Sequence, residues 1–562
     1  MKKYISLFLL GGLISPLFAQ TTCRVQDQRP LQLLSAQLKR SMGAFKRQKP
    51  PIYYVAYNFN DLDVYNIDVE ENGVSNQGQR HDATLQVQVR AGSLQMDNTR
   101  TLKTGHTYRT LETGRMPDIG ADGKAFSMAV WRLTEQAAED AQQDFNRVQA
   151  DAQTGAKRLD DSADFVFPPK ETFCEEYPAL KFDMKQIEAL LLKVSNLTRG
   201  KSFVLGSSFS FEMKTGSRYF VDSVGTQLKT PVRLARLSYS LWGKTADGAW
   251  VNRSENYDVL TQDQLPDEVQ LTADIKQSLQ ELEALLNAPE AEPITVPTLL
   301  KNRAMAVFVH EVLGHRVEGH RQKEDTFGKT FTDKVGQEVV SPLISIVDDA
   351  TLPEFNGQPL RGFYLYDDEG VKARPVTLVE NGILKGFLMS SSPIKGFATS
   401  NGHGRGEIGK RPVARMGNTR VIASKTIGYD ALEQQFLEEI KRQNKPYGFI
   451  IEDLSGGFTT TDTDYPQTFK LTPTLVYRVY PDGRKEIVRG ADIVGTPLAA
   501  FHEVMAVADD YEVFNGSCGA ESGWVPVSSI APSVLLHKLE IEKTGKSTTK
   551  PPLLPPPFGE GK

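Results

Sequence analysis

The chain has 562 residues, of which 40% are hydrophobic and 24% are charged. This length is too great for one hydrophobic core, so we expect two domains. The formal net charge is −5 and no basic block stands out, which argues against a nucleic-acid partner.

The N-terminus predicts a cleaved secretory signal. Residues 1–3 are a short basic start, residues 4–18 are apolar and uncharged, and Ala19 supplies a small residue at the cleavage site. The apolar run is shorter than the ~20 residues of a membrane-spanning helix. We therefore expect residues 1–19 to be removed and the mature protein to be exported, periplasmic or secreted, with no membrane span.

The N-terminal half predicts an antiparallel sheet accompanied by long helices. Thr134 is expected to cap a polar helix that runs toward Thr154, and Asp183 and Asp267 to cap two others. The remaining predicted elements are a helix at 31–42 and strands at 52–59, 62–69, 85–89, 203–213, 218–223 and 233–242.

A polar, proline-punctuated segment at 287–293 indicates the domain boundary. It separates an N-terminal α+β domain, residues 28–290, from a β-rich domain, residues 291–545. Residues 546–562 are rich in Lys, Thr and Pro and predict an extended, disordered tail.

The C-terminal half predicts mostly strands around one important helix, which Pro297 and Thr298 are expected to begin. A second, amphipathic helix is expected at 429–440. The strand pattern is typical of a closed or half-closed barrel, so the chain as a whole is predicted to be α+β. The predicted strands lie at 294–296, 343–347, 362–366, 373–379, 383–389, 448–452, 474–479 and 486–488.

Three of the eight histidines fall within the eleven residues from His310 to His320, and Glu311 follows the first of them. Two imidazoles beside a carboxylate are the usual way for a helix to offer a zinc site. His310 and His315 are five residues apart, however, which separates them by about 140° on a regular helix. Either no metal binds here, or the helix widens or breaks, and Gly314 is well placed to permit a π-turn.

Two other interpretations of this motif are weaker. A metzincin pattern has two of its five fixed positions wrong. An amphipathic helix with surface histidines does not account for three histidines so close together beside a glutamate.

Cys23, Cys174 and Cys518 are the three cysteines. In an oxidising compartment an odd number leaves at least one thiol unpaired or bound to metal. Cys23 and Cys174 can pair, but the sequence does not decide this.

From about residue 200 to 539 the sequence resembles the TldD/PmbA family of zinc metallopeptidases, in its TldD-like branch. The HExxxH motif of His310, Glu311 and His315 carries the resemblance first. The other similar segments are 317–319, 347–349, 367–370, 378–386, 415–419, 518–519 and 525–527.

The resemblance implies specific roles for four residues. His310 and His315 match the histidine ligands of the family's zinc, Cys518 matches its thiolate ligand, and Glu311 matches its general base. Three protein ligands would leave one position of a Zn²⁺ ion open for water.

Five further residues are candidates for supporting the ligands or contacting substrate. At His320 the family more often has an acidic residue, so His320 is a supporting group, a substrate contact or a competing ligand. Glu318 is expected to support a ligand. Arg415 and Asn418 either meet substrate or brace a turn, and His403 lies in a Gly-rich loop that can border the cleft.

The resemblance implies an exported zinc metallopeptidase that hydrolyses unfolded or short peptides by zinc-bound water, with Glu311 as general base. It also implies a dimer, either of identical subunits or with a paralogous subunit. The alternatives are a non-catalytic partner subunit and a zinc hydrolase of non-peptide amides.

Overall fold

A computed structural model describes residues 21–103, 110–153, 160–324, 326–461 and 467–545. The predicted signal at 1–19 and the predicted tail at 546–562 lie outside these residues. Among the described residues, no helix combines the length and the apolar character needed to cross a bilayer.

The N-terminal half is built on an eight-stranded sheet in the order β1-β5-β7-β6-β2-β3-β4, with β8 paired to β7. Only the β5–β7 pair is parallel, so the predicted antiparallel character is confirmed. The strands are β1 (Thr21–Thr22), β2 (Ile52–Glu70), β3 (Gly73–Ala91), β4 (Glu112–Arg115), β5 (Thr172–Glu176), β6 (Gly206–Asp222), β7 (Gln227–Lys244) and β8 (Trp250–Asp258).

Four helices pack on one face of this sheet. Alternate residues of each strand point to this face and supply its apolar side chains. Val55 and Tyr57 of β2 lie in one core with the first two helices, and Phe209 of β6 lies in another with the last two. The opposite face meets the C-terminal half through Tyr54, which shares a core with Tyr366. The helices are α1 (Arg29–Phe45), α2 (Lys124–Ala152), α3 (Met184–Ser195) and α4 (Glu268–Asn287).

Two local predictions in this half have clear outcomes. Thr134 does not cap α2; it lies inside the helix, where its hydroxyl donates to the carbonyl of Val130 and lies 2.7 Å from the hydroxyl of Tyr57. Cys23, directly after β1, and Cys174 of β5 form a disulfide across 151 residues.

The C-terminal half contains a seven-stranded sheet, in which five strands close into a barrel in the order β18-β9-β25-β21-β19. A six-stranded sheet, β14-β13-β10-β17-β24-β23, lies beside it. The first seven strands of this half are β9 (Ile294–Leu300), β10 (Ile344–Asp348), β11 (Glu354–Phe355), β12 (Gln358–Pro359), β13 (Val376–Glu380), β14 (Ile383–Leu384) and β15 (Gly404–Arg405).

The remaining strands complete both sheets, except β16, which pairs with β15, and the predicted α+β class and barrel-like C-terminal half are confirmed. They are β16 (Val413–Ala414), β17 (Asn418–Ala423), β18 (Gly448–Thr459), β19 (Phe469–Val479), β20 (Lys485–Val488), β21 (Ala491–Gly495), β22 (Val504–Val507), β23 (Glu512–Ala520), β24 (Gly523–Ala531) and β25 (Val534–Lys543). The helices are α5 (Asn302–Val312), α6 (Gly319–Lys323), α7 (Tyr429–Arg442) and α8 (Pro497–His502).

The predicted helix start at Pro297 and Thr298 is wrong, because β9 continues to Leu300. Pro297 lies opposite an irregularity in β25, between Leu536 and Leu539, where the ladder register shifts. A proline is tolerated in a strand at such a position because no regular ladder bond is lost.

Candidate metal centre

Helix α5 carries the first part of the motif through the middle of the C-terminal half. It packs against β18 of the barrel and against β23 and β24 of the second sheet. Nearly all its residues are buried, including Met305, Phe308 and Val309. A helix that is covered on all sides holds His310 in a fixed direction.

The helix ends between His310 and His315 instead of widening into a π-turn. Helix α5 ends at Val312, and a 3₁₀ turn follows at Gly314–Val317. The π-turn suggested by the spacing is therefore wrong. Gly314 is needed for another reason: a Cβ there would overlap the Sδ of Met416. The tighter turn brings the second histidine back toward the first.

Three metal-binding side chains meet at this break. The Nε2 atoms of His310 and His315 lie 3.1 and 3.4 Å from the Sγ of Cys518, which β23 supplies. The ligand atoms of the three residues all lie within 4.8 Å of one another, and all three residues are buried. Folding thus joins residues that are more than two hundred positions apart.

The charges of these groups favour the thiolate when no metal is bound. Burial raises the pKa of Cys518, but His315 and His310 outweigh burial and hold it well below its usual range. Burial lowers the pKa of both histidines, and the negative charge of Cys518 more than reverses this. The thiolate is the form of cysteine that binds metals.

This donor set fits a zinc ion. Two imidazole nitrogens and one thiolate are ligands that zinc accepts, and three protein ligands leave a fourth position open. The separations of 3.1 and 3.4 Å place the donors around one small volume. His310, His315 and Cys518 are therefore the residues that could hold a metal.

Glu311 lies beside these donors, with its Oε2 3.9 Å from the Nε2 of His315. A close approach of β18 confines its side chain. A Cβ at Gly457 would overlap the Cδ2 of Leu471 and lie 2.9 Å from the Cγ of Glu311. The absence of a side chain at Gly457 therefore makes room for the carboxylate.

Glu318 lies beside Nδ1 of His315, the ring nitrogen that does not face Cys518. Its Oε1 lies 3.3 Å from the Nδ1 of His315, and its Oε2 accepts a hydrogen bond of 2.7 Å from Arg321. Burial raises the pKa of Glu318, but His315 and Arg321 lower it more, to about 2. A carboxylate behind the distal ring nitrogen fixes the orientation of a metal-binding histidine.

His320 lies outside the cluster of His310, His315 and Cys518. Its Nε2 contacts a carboxylate oxygen of Glu521, and these two residues form a second buried group with Glu318.

The other three candidates brace the surrounding chain. Arg415 donates to the carbonyl of Cys518 at 2.7 Å, and Asn418 donates to two backbone carbonyls. His403 is fully buried, with its Nε2 3.2 Å from Asp348, so it does not line an open cleft as its Gly-rich loop suggested.

Sequence reasoning missed Glu521, Arg321, Gly457 and Asp348. Glu521 lies three residues after Cys518 and Arg321 directly follows His320, so proximity to the motifs was an available signal. For Gly457 and Asp348, only the folded arrangement reveals what they contact.

The C-terminal half of the chain is similar in sequence to known metalloproteases. Residues 293–543 match the family described as the PmbA/TldA metallopeptidase C-terminal domain. A metalloprotease of Methanocaldococcus jannaschii is 29% identical over 43% of this chain and 50% of its own length. A zinc metalloprotease TldD homologue of Saccharolobus solfataricus is 27% identical over 44% of this chain and 51% of its own length. The matching region spans about half the length of these relatives.

Similarity of structure extends further along the chain than similarity of sequence. The crystal structure of TldE from Thermococcus kodakarensis superposes with a TM-score of 0.59 over 91% of this chain and 100% of that one. The two sequences are 16% identical, so the likeness concerns the fold alone.

Proposed function

We propose that the protein is a zinc-dependent peptidase, because residues 293–543 match the PmbA/TldA metallopeptidase C-terminal domain. The observation that carries the proposal is the meeting of His310, His315 and Cys518 beside Glu311. A non-catalytic partner subunit would not need this complete set, so its presence supports an active enzyme.

The residues around the site divide the chemical work. Zinc, when bound, supplies a Lewis acid that activates water and polarises the carbonyl of the scissile bond. Glu311 accepts the proton of the attacking water and passes it to the leaving amine. Glu318 holds the ring of His315 so that its Nε2 faces Cys518. Glu311 is close enough to the metal-binding atoms to accept a proton from the water that zinc would activate.

The unpaired edge of strand β18 supports the proposal that the substrate is an extended peptide. It pairs with β19 along its length, but with β9 only over Phe449–Ile451. Within the described ranges, no strand pairs with its other edge from Asp453 to Thr459. Gly457, whose backbone lies close to the side chain of Glu311, is in this unpaired part of β18. A peptide added to this edge would be held by main-chain hydrogen bonds and would pass the carboxylate.

We extend the proposal to export and to association. The disulfide between Cys23 and Cys174 supports an oxidising compartment. Pairing with a second copy or a paralogous subunit stays a prediction, which the mass of the native particle in solution would test.

Hydrolysis of an unstructured peptide by the purified full chain tests the function. We expect cleavage that a chelator abolishes and added zinc restores. Cleavage that survives complete removal of metal would contradict the proposal. Parallel assays with a folded protein and with a non-peptide amide separate a peptidase of unfolded chains from the alternative amide hydrolase.

A further inference from the structure

A second, largely buried cluster adjoins the metal centre. Glu318, His320 and Glu521 place ligand atoms within 4.8 Å of one another. By residue type alone this group resembles another metal site, because one imidazole and two carboxylates are acceptable ligands for divalent ions. Its surroundings point to a different use.

Two arginines already balance the carboxylates of this cluster. Arg321 donates from Nε to Glu318 and from Nη2 to Glu521, both at 2.7 Å. The Nε of Arg415 lies 3.3 Å from Glu318. Two negative and two positive charges are thus buried together, and an added divalent ion would meet cations at short range.

The cluster instead grips the hairpin that supplies the thiolate. Glu521 lies in the turn between β23 and β24, three residues after Cys518. His320 contacts one carboxylate oxygen of Glu521 through Nε2, and Arg321 binds the other. Helix α6, which follows the second histidine in the chain, therefore holds the turn of the hairpin directly.

Arg415 holds the same hairpin along its backbone. It donates to the Oγ of Ser522 at 2.8 Å and to the carbonyls of Gly523 at 3.1 Å and Cys518 at 2.7 Å. The position of the Cys518 thiol relative to the histidines is thus set by contacts on its own hairpin.

We propose that His320 is a positioning residue that acts through Cys518: by holding Glu521, it fixes the β23–β24 hairpin so that the thiolate faces His310 and His315. This inference rests on the proposed zinc function. The Nδ1 of His320 has no hydrogen-bond partner among the described residues, which favours the tautomer with its proton on Nε2, directed at Glu521.

Loss of this contact has a defined consequence. Without His320, the hairpin keeps its contacts with Arg321, Arg415 and Glu407 but loses one contact that holds Glu521, so the thiol is less well ordered before the metal binds. Removing groups that orient metal ligands typically lowers metal affinity by about 10–100-fold. The number of metal ions bound should not change.

Titration of the metal-free full chain with Co²⁺ tests the proposal, because a thiolate ligand gives Co²⁺ an intense charge-transfer absorption. The variants are His320→Ala, His320→Gln, Cys518→Ala and the double variant with both alanines. His320→Gln keeps a donor near the Nε2 position. His502→Ala is the matched control, because His502 is 43% exposed and lies 3.7 Å from Glu338, a residue outside both clusters. Circular dichroism confirms that each variant is folded.

We expect His320→Ala to weaken Co²⁺ binding by about 10–100-fold, His320→Gln to restore most of it, and His502→Ala to change nothing. If His320 acts through Cys518, the double variant binds Co²⁺ as Cys518→Ala does. Unchanged affinity in His320→Ala, or additive losses in the double variant, would overturn the inference. Loss of a second equivalent of Co²⁺ in His320→Ala would show a second metal site instead.

The wild-type titration separates failure of the proposed zinc centre from failure of the role proposed for His320. If wild type binds Co²⁺ without thiolate absorption, the proposed metal centre is wrong and the inference falls with it. If wild type shows the absorption and His320→Ala matches it at every concentration, only the inference is wrong.

Discussion

Two buried clusters lie side by side in the C-terminal half, and each offers three side chains that can bind a metal. In the first, the thiol of Cys518 faces two imidazoles and also interacts with the guanidinium of Arg415. In the second, Arg321 bridges Glu318 and Glu521. The imidazoles of the first cluster can lose their protons and bind a metal ion, whereas the guanidinium of Arg321 keeps its charge and already pairs with both carboxylates of the second.

The type of ligand therefore does not identify a metal site by itself. The balance of charge around the ligands decides whether an ion or a guanidinium completes the cluster. Four changes test this distinction, with expected effects that decrease from the first to the last.

Glu311→Gln removes the proton acceptor beside the first cluster without removing a donor. We expect hydrolysis of an unstructured peptide to fall by about 10²–10⁴-fold, the range of general acid–base catalysis. The zinc content should stay as in wild type. Glu338→Gln, at a glutamate that is 49% exposed, is the control. A Glu311→Gln enzyme that cleaves at the wild-type rate would refute the role of this carboxylate.

Arg321→Met removes the cation that distinguishes the second cluster. It takes one partner from the buried Glu318 and one from Glu521, and removing one partner of a buried ion pair costs about 3–5 kcal/mol of unfolding free energy. Urea unfolding measures the loss. Arg442→Met is the control: Arg442 is 63% exposed, so solvent screens its ion pair, which contributes little to stability. Equal losses in the two variants would contradict the buried network.

Acid should weaken the second cluster in the metal-free protein. The pKa of Glu318 is lowered to about 2 in the folded state, against about 4.3 for an unperturbed glutamate. Its contribution is therefore complete above the unfolded value and is lost as the pH falls toward the folded value. Between pH 5 and 2, wild type should lose on the order of 3 kcal/mol more unfolding free energy than Glu318→Gln. Parallel pH profiles would contradict this.

Gly457→Ala crowds the first cluster from the side of β18. The new methyl group would overlap Leu471 and press on Glu311, which should cost about 1–3 kcal/mol in stability or in activation free energy. Gly43→Ala is the control, because nothing lies within 4 Å of a Cβ there. Measured stability and peptide cleavage should both fall for Gly457→Ala alone, with the zinc content unchanged.

The sequence predicted the fold class and part of the site for physical reasons that can be stated. Period-two patterns predicted the sheets, and clustered histidines beside Glu311 predicted the motif. Cys518 could be chosen over Cys174 only by resemblance, because chain spacing carries no information on contacts made two hundred residues away. The strand across Pro297 was missed because pairing with β18 and β25 overrides local helix signals.

The supporting network was beyond sequence reasoning because it depends on packing. A Gly-rich loop around His403 indicated exposure, yet the fold buries this ring against Asp348. The role of His320 likewise depends on Glu521, which is brought to it by a hairpin turn. Such partners follow from tertiary contacts, which no local pattern specifies.

Zinc content after dialysis of wild type, Glu311→Gln and Cys518→Ala tests whether His310, His315 and Cys518 form a metal centre. Wild type and Glu311→Gln should retain stoichiometric zinc, because Glu311 is not a donor. Cys518→Ala should lose most of it, because two imidazoles remain where three protein ligands are needed. Zinc retained in full by Cys518→Ala, or absent from wild type, would contradict a metal centre formed by His310, His315 and Cys518.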